Sequence, residues 1–184
     1  MSLIYLLSSL PMLKFGTDPG VTSNYFVAAC REQLGGADAE AVEALLSGGT
    51  CRHPFVTAWL DKETILRNAT VRERARVAGG EPSHWLREAK GCDVRIENMV
   101  DDAFQESDPM RRDENLDNIR WLIADELQGP DPLCKNMVFA YAVKLGILIR
   151  RAALDAGKGA DNFKNLADIR TPDESAKPSQ DDAQ

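Results

Sequence analysis

The sequence is poor in the residues that carry metal and redox chemistry. It has two histidines, His53 and His84, and neither stands in an H-E-x-x-H or Cys-to-His arrangement, which argues against a metal site. Its four cysteines, Cys30, Cys51, Cys92 and Cys134, never fall at the C-x-x-C spacing of zinc or redox motifs. They read as four separate small buried apolar side chains in a reducing, cytoplasmic setting. No run approaches the roughly 20 apolar residues that cross a bilayer. The apolar opening, Leu3 to Leu7 and Leu10 to Leu13, has Ser2 before it and its first charge, Lys14, after it. It is the reverse of a secretory leader and predicts a buried first strand or helix ending at Pro11. Positive charge is also in short supply: 22 Lys plus Arg against 29 Asp plus Glu leave a net charge of −7. That balance argues against sequence-independent nucleic-acid binding, which needs a clustered basic excess. Phosphate-cradling glycine loops, the G-x-S-x-G elbow and EF-hand loops are missing as well. No cofactor is expected.

What remains is material for a packed helical domain. The chain has 184 residues, 43% of them hydrophobic, and a chain of this size buries roughly 70% of its unfolded surface without staples. Apolar residues recur at helical spacing, and the only period-2 stretch is a short one at Ile4 to Leu7. The expected class is therefore all-α, an irregular multi-helix bundle. Gly35-Gly36, Gly48-Gly49 and Gly79-Gly80 read as helix ends. They bound helices at 24–34, 38–47 and 54–78, the last with a proline in its first turn. Pro82 should open a short helix to Ala89, followed by helices at 94–106, 109–128 and 133–154. In the 109–128 helix, Leu116, Ile119, Ile123 and Leu127 form one stripe, with Asp117, Arg120 and Asp125 assigned to the outer face. The 133–154 helix is apolar almost all round, so it is central in the bundle or half covered by a partner. It forms an antiparallel hairpin with its predecessor. A last helix is expected at 161–170, closing one domain over 1–170, with sub-bundles 1–90 and 91–170 as an option. The tail at 171–184 has four acids against one lysine and no aliphatic side chain larger than alanine, which reads as disordered.

Candidate chemistry is thin. Asp102 with Glu106, and Asp113 with Asp117, are carboxylate pairs at helical spacing, read as solvated faces because no base or further ligand accompanies them. Arg67, Arg72, Arg74 and Arg76 make a basic cluster on the 54–78 helix, with Glu63 one turn before Arg67. The cluster would suit an acidic partner surface, or simply be a charged outer face. Trp59, Trp121 and Tyr141 lie on amphipathic helices, where core packing competes with partner binding. Asn68, among apolar positions, would either bond across helices or face water. A competing class is a small-ligand enzyme assembled from scattered groups such as His84, Asp102, Glu106 and Tyr141.

Three blocks of sequence carry a resemblance. They are Tyr5-Leu6-Leu7-Ser8-Ser9-Leu10-Pro11-Met12-Leu13; Trp59 followed by Leu66-Arg67-Asn68 and Arg74; and Asp108-Pro109-Met110 with Leu116-Asp117-Asn118-Ile119-Arg120-Trp121 and Ala140-Tyr141-Ala142-Val143-Lys144-Leu145. Together they resemble an uncharacterised bacterial family encoded among V-type ATPase genes. That family is itself similar to the stalk-to-ring adaptor of V/A-type rotary ATPases, the component lettered C there and d in eukaryotes. The resemblance implies a non-catalytic adaptor between the central stalk and the membrane rotor ring. It also implies peripheral membrane association through the complex. The partner-binding candidates are then Arg67, Asn68, Arg72, Arg74, Arg76, Trp59, Trp121 and Tyr141, with self-association through the hairpin as a further option. The chain is shorter than that family leads one to expect, and much shorter than the rotary-ATPase adaptor with its three helical bundles.

Overall fold

A computed structural model describes residues 3–154. Among these residues the protein is all-helical, with seven α-helices, one 3-10 turn and no strand. They are α1 (Leu3–Ser9), α2 (Ser23–Gln33), α3 (Gly36–Ser47), α4 (Pro54–Ala78), the 3-10 turn (Ser83–Trp85), α5 (Val94–Phe104), α6 (Pro109–Gln128) and α7 (Lys135–Ala152). The expected helix at 161–170 and the tail at 171–184 lie outside the described residues.

Local chemistry sets most of the boundaries. Thr22 accepts from the Tyr25 amide, Asp93 from the Arg95 and Ile96 amides, and Asp108 from the Met110 amide, each satisfying donors that a helix start leaves free. His53 caps α4 by accepting from the Phe55 amide through Nδ1. Gly48 and Gly79 close α3 and α4 in the left-handed conformation, with φ of 70° and 68°. Gly35-Gly36 does not end a helix as expected. Gly35 is extended and precedes the first turn of α3, while α2 ends at the extended Leu34. The opening apolar run is helical rather than extended, and buries Leu6.

Two apolar clusters make the core. The first gathers Leu6 of α1, Phe26 and Cys30 of α2, Ala41 and Val42 of α3, Phe55 and Val56 of α4, and Val138 to Ile147 of α7. The second joins Ile65, Leu66 and Ala69 of α4, Ile96 and Val100 of α5, and Leu116, Ile119 and Ile123 of α6. Trp59 and Leu127 pack against both and so join them. α7 is central to the first cluster, with Phe139, Ala140, Ala142 and Leu145 sealed from solvent. The α6–α7 pair is an antiparallel hairpin, because Asn136 reaches Leu127, Lys144 pairs with Asp125 and Arg150 with Asp117, one number rising as the other falls.

α5 runs parallel to α4, since Lys62 pairs with Asp93, Arg72 with Glu97 and Arg76 with Asp101. A parallel neighbour obliges the connection to travel back down α4, from Ala78 to the level of Lys62, about 24 Å at 1.5 Å per residue. A helix at 82–89 would cover only about half of that, and the chain instead makes the single 3-10 turn Ser83–Trp85, turns extended at Leu86 and continues without helix to Asp93. Asn68, 5% exposed, holds it midway. Its side-chain amide donates to the Arg87 carbonyl at 2.7 Å and its oxygen accepts from the Arg87 amide at 2.9 Å. Asn68 therefore neither joins two helices nor faces water; it acts as a surrogate backbone partner for the returning segment.

Candidate functional site

A cleft of about 960 Å³ opens between α2, α3, α4, α6 and α7. Val27, Leu45, Leu46, Val143 and Ile147 give it an apolar lining, to which Arg31, Glu43, Glu63, Arg67, Arg120 and Arg150 add charge. Four of these charged groups belong to an ion network. Arg67 donates to Glu63 at 2.8 Å within α4, and Arg120 of α6 reaches both oxygens of the same carboxylate at 3.1 to 3.3 Å. Arg120 also donates to Asp117 at 3.2 Å, and Asp117 accepts from Arg150 and, at 3.4 Å, from Arg151 of α7. Arg151 pairs further with Glu114 at 3.3 Å. Asp117 is wholly buried, and the Glu63 side chain is 9% exposed.

Both carboxylates are thus shared by arginines from different helices, which ties α4, α6 and α7 together where the two apolar clusters meet. Burial works against the charge on Arg120, but Glu63 and then Asp117 outweigh it and hold its pKa above the ordinary value. The outer-face assignment of Asp117 and Arg120 is overturned. An apolar stripe on a 3.6-residue repeat is wide enough to carry these two positions under α7, and the arginines at the end of α7 supply the compensating charge.

The predicted cluster on α4 divides. Arg67 belongs to the network and the cleft. Arg72 pairs with Glu97 at 2.9 Å, and Arg76 with Glu73 at 2.6 Å, bracing α4 and its neighbour α5. Arg74 is exposed. Trp59 lines the cleft at the joint of the two clusters. Trp121 sits on the other side of α6, edge-on to Phe15 at 5.5 Å and under the Lys144 ammonium at 5.3 Å. Tyr141 packs on Phe26 and donates to the Pro11 carbonyl at 3.1 Å, and burial pushes its phenol up to about 12. It fastens the segment after α1 to the first cluster.

The scattered groups of the enzyme reading do not converge. His84 is exposed beside Trp85, Asp102 is exposed and Glu106 half-buried near the end of α5, and Tyr141 lines a small pocket with Leu7, Leu10 and Met137 that contains none of the other three. Among the described residues no three His, Cys, Asp or Glu side chains gather as metal ligands would. The cysteines differ from one another. Cys30 is sealed in the first cluster and its thiol is pushed up to about 12 by burial, whereas Cys92 is exposed and Cys51 and Cys134 are half-buried.

Sequence reasoning missed Glu63 as a cross-helix hub, together with Arg120, Arg150 and Arg151. The available signal was the i, i+3 pair Asp117 and Arg120 set beside the apolar stripe of one helix, matched by two adjacent arginines ending another.

These helices fall in a region with a recognised family profile. Residues 95–171, which include most of α5 and all of α6 and α7, match a family described as Protein of unknown function (DUF2764). No curated protein and no solved structure matches the chain. Among the described residues no helix is long and apolar enough to cross a membrane.

Proposed function

We propose that the protein is a non-catalytic adaptor of a V/A-type rotary ATPase, linking the central stalk to the membrane rotor ring and supporting ATP-driven ion transport or ATP synthesis. The observation that carries the adaptor reading is the cleft. An open depression lined by aliphatic side chains together with exposed arginines has the composition of an interface core and rim. The ion network behind it braces three helices, as a part that transmits force between neighbours requires. The rotary-ATPase assignment rests on the three resembling blocks. The last of them, from Asp108 to Leu145, lies inside the 95–171 family match. The test is affinity capture of the tagged full chain from gently solubilised membranes, followed by mass spectrometry. Stalk and ring subunits are expected in the eluate; a chain recovered free in the soluble fraction without them overturns the proposal.

A further inference from the structure

The cleft carries a charge opposite to that of the chain. Its lining has four arginines, Arg31, Arg67, Arg120 and Arg150, against two carboxylates, Glu43 and Glu63, and the buried Asp117 that pairs with Arg120 and Arg150 brings the local balance to +1 in a chain of net charge −7. Arg31 and Glu43 pair with each other and Arg120 is only 20% exposed, so the positive charge within reach of a ligand is carried by Arg67 and Arg150, whose side chains are 51% and 50% exposed. These two guanidiniums keep donors open to a ligand while Glu63 and Asp117 anchor them.

The floor has a second peculiarity. Gly146 stands in the middle of α7, where glycine costs about 1 kcal/mol relative to alanine. Its φ is not in the left-handed range, and a methyl group placed on it would meet only the Leu46 side chain, at 4.0 Å. Among the described residues nothing therefore requires position 146 to lack a side chain. Gly146 lines the cleft one helical turn before Arg150, and its bare backbone leaves open space there.

The cleft follows α7 from Val143 to Arg150, about 10 Å or two helical turns. We propose that it receives an amphipathic helical segment of a partner protein, with its apolar face over Gly146, Leu46 and Ile147 and its carboxylates against Arg67 and Arg150. This is helix-in-groove recognition with a charged end. It rests on reading the protein as an adaptor and identifies the surface and the chemistry of that contact.

The test is a photo-reactive benzoyl-phenylalanine placed at the exposed cleft residue Ser47 of the full chain in its own cells. After irradiation the adduct is mapped by mass spectrometry. The expected adduct is a segment of another protein with apolar residues at helical spacing and Asp or Glu beside them; an adduct to residues of this chain itself overturns the proposal. Its yield should fall at least tenfold with Gly146→Phe, which fills the floor, and with Arg67→Gln plus Arg150→Gln, which removes the charge. Circular dichroism establishes that each variant is folded, and the two variants act by different means, so failure of one to fold leaves the other decisive. A lipid or small-molecule adduct, a basic segment, no adduct, or a yield unchanged in the folded variants would overturn the proposal. An acidic helix from a protein outside any rotary ATPase would keep the cleft assignment and sink the ATPase reading. ATPase subunits captured without a cleft adduct would do the reverse.

Discussion

Replacing Asp117 by asparagine is the sharpest probe of the structure, because it changes one charge and almost no volume. Asp117 has no exposed surface and faces three guanidiniums. Asparagine retains one acceptor oxygen, which can serve Arg120 and Arg150, but turns an NH2 group toward Arg151 so that donor meets donor. The Arg120 and Arg151 side chains are each 20% exposed and cannot freely turn to water, whereas Arg150 is 50% exposed and can. Hydrogen bonds to charged groups contribute about 1.5 to 3 kcal/mol each. Losing one outright and weakening another therefore destabilises the fold by about 3 kcal/mol, at the low end of what breaking a buried ion pair costs. For a chain of this size that lowers Tm by about 6 to 12 °C. The assay is urea unfolding followed by circular dichroism, with Asp125→Asn as the control. Asp125 pairs with Lys144 but is 47% exposed, so its loss should cost below about 1 kcal/mol. The Asp117 effect should also survive 0.5 M salt, since a sealed pair is little screened. If Asp117→Asn costs no more than Asp125→Asn, the network is not the brace described here.

Other perturbations test separate parts. Asn68→Ala removes both hydrogen bonds that hold Arg87 and should cost about 1 to 3 kcal/mol; limited trypsin digestion should then cut after Arg87 far faster than in the parent, and unchanged cleavage would refute the tether. Gly146→Ala should stabilise the chain by up to about 1 kcal/mol in the same urea assay, because the added methyl finds room on the cleft floor; destabilisation would mean that the floor is already filled. Alkali should unfold the protein through two groups whose pKa is higher folded than unfolded. Cys30 rises from 9.0 to about 12 and Tyr141 from 10.0 to about 12, both by burial. The folded state keeps these protons longer, so full stability holds below pH 9, and each group removes up to about 1.4 kcal/mol per pH unit as the pH rises toward 12. Cys30→Ala should flatten the first part of that decline; an identical alkaline profile would refute the assignment.

Where local chemistry fixed an element, the sequence already contained it. The bounds of α4 and α6 follow from a first-turn proline at each start and a glycine just beyond each end, and the observed elements span Pro54–Ala78 and Pro109–Gln128. The all-helical class follows from periodicity, which is a property of neighbouring residues, whereas periodicity left α7 either central or half covered by a partner, and its packing in the first cluster decided for the centre. The helix expected at 82–89 failed for a reason no local pattern holds. α5 lies parallel to α4, and the chain must be extended there to travel back. Asn68 has its role only because that returning segment passes it. The same holds for the cleft. Glu63 and Arg67 announced an intrahelical pair, but Arg120 and Arg150 come to that site from positions 57 or more residues away, and only the packing of α6 and α7 brings them there. Spacing along one helix records which side chains share a face; which faces meet, and hence which charges share a buried carboxylate, was decided by the tertiary structure, because burial and Coulomb attraction act between residues that the sequence keeps far apart.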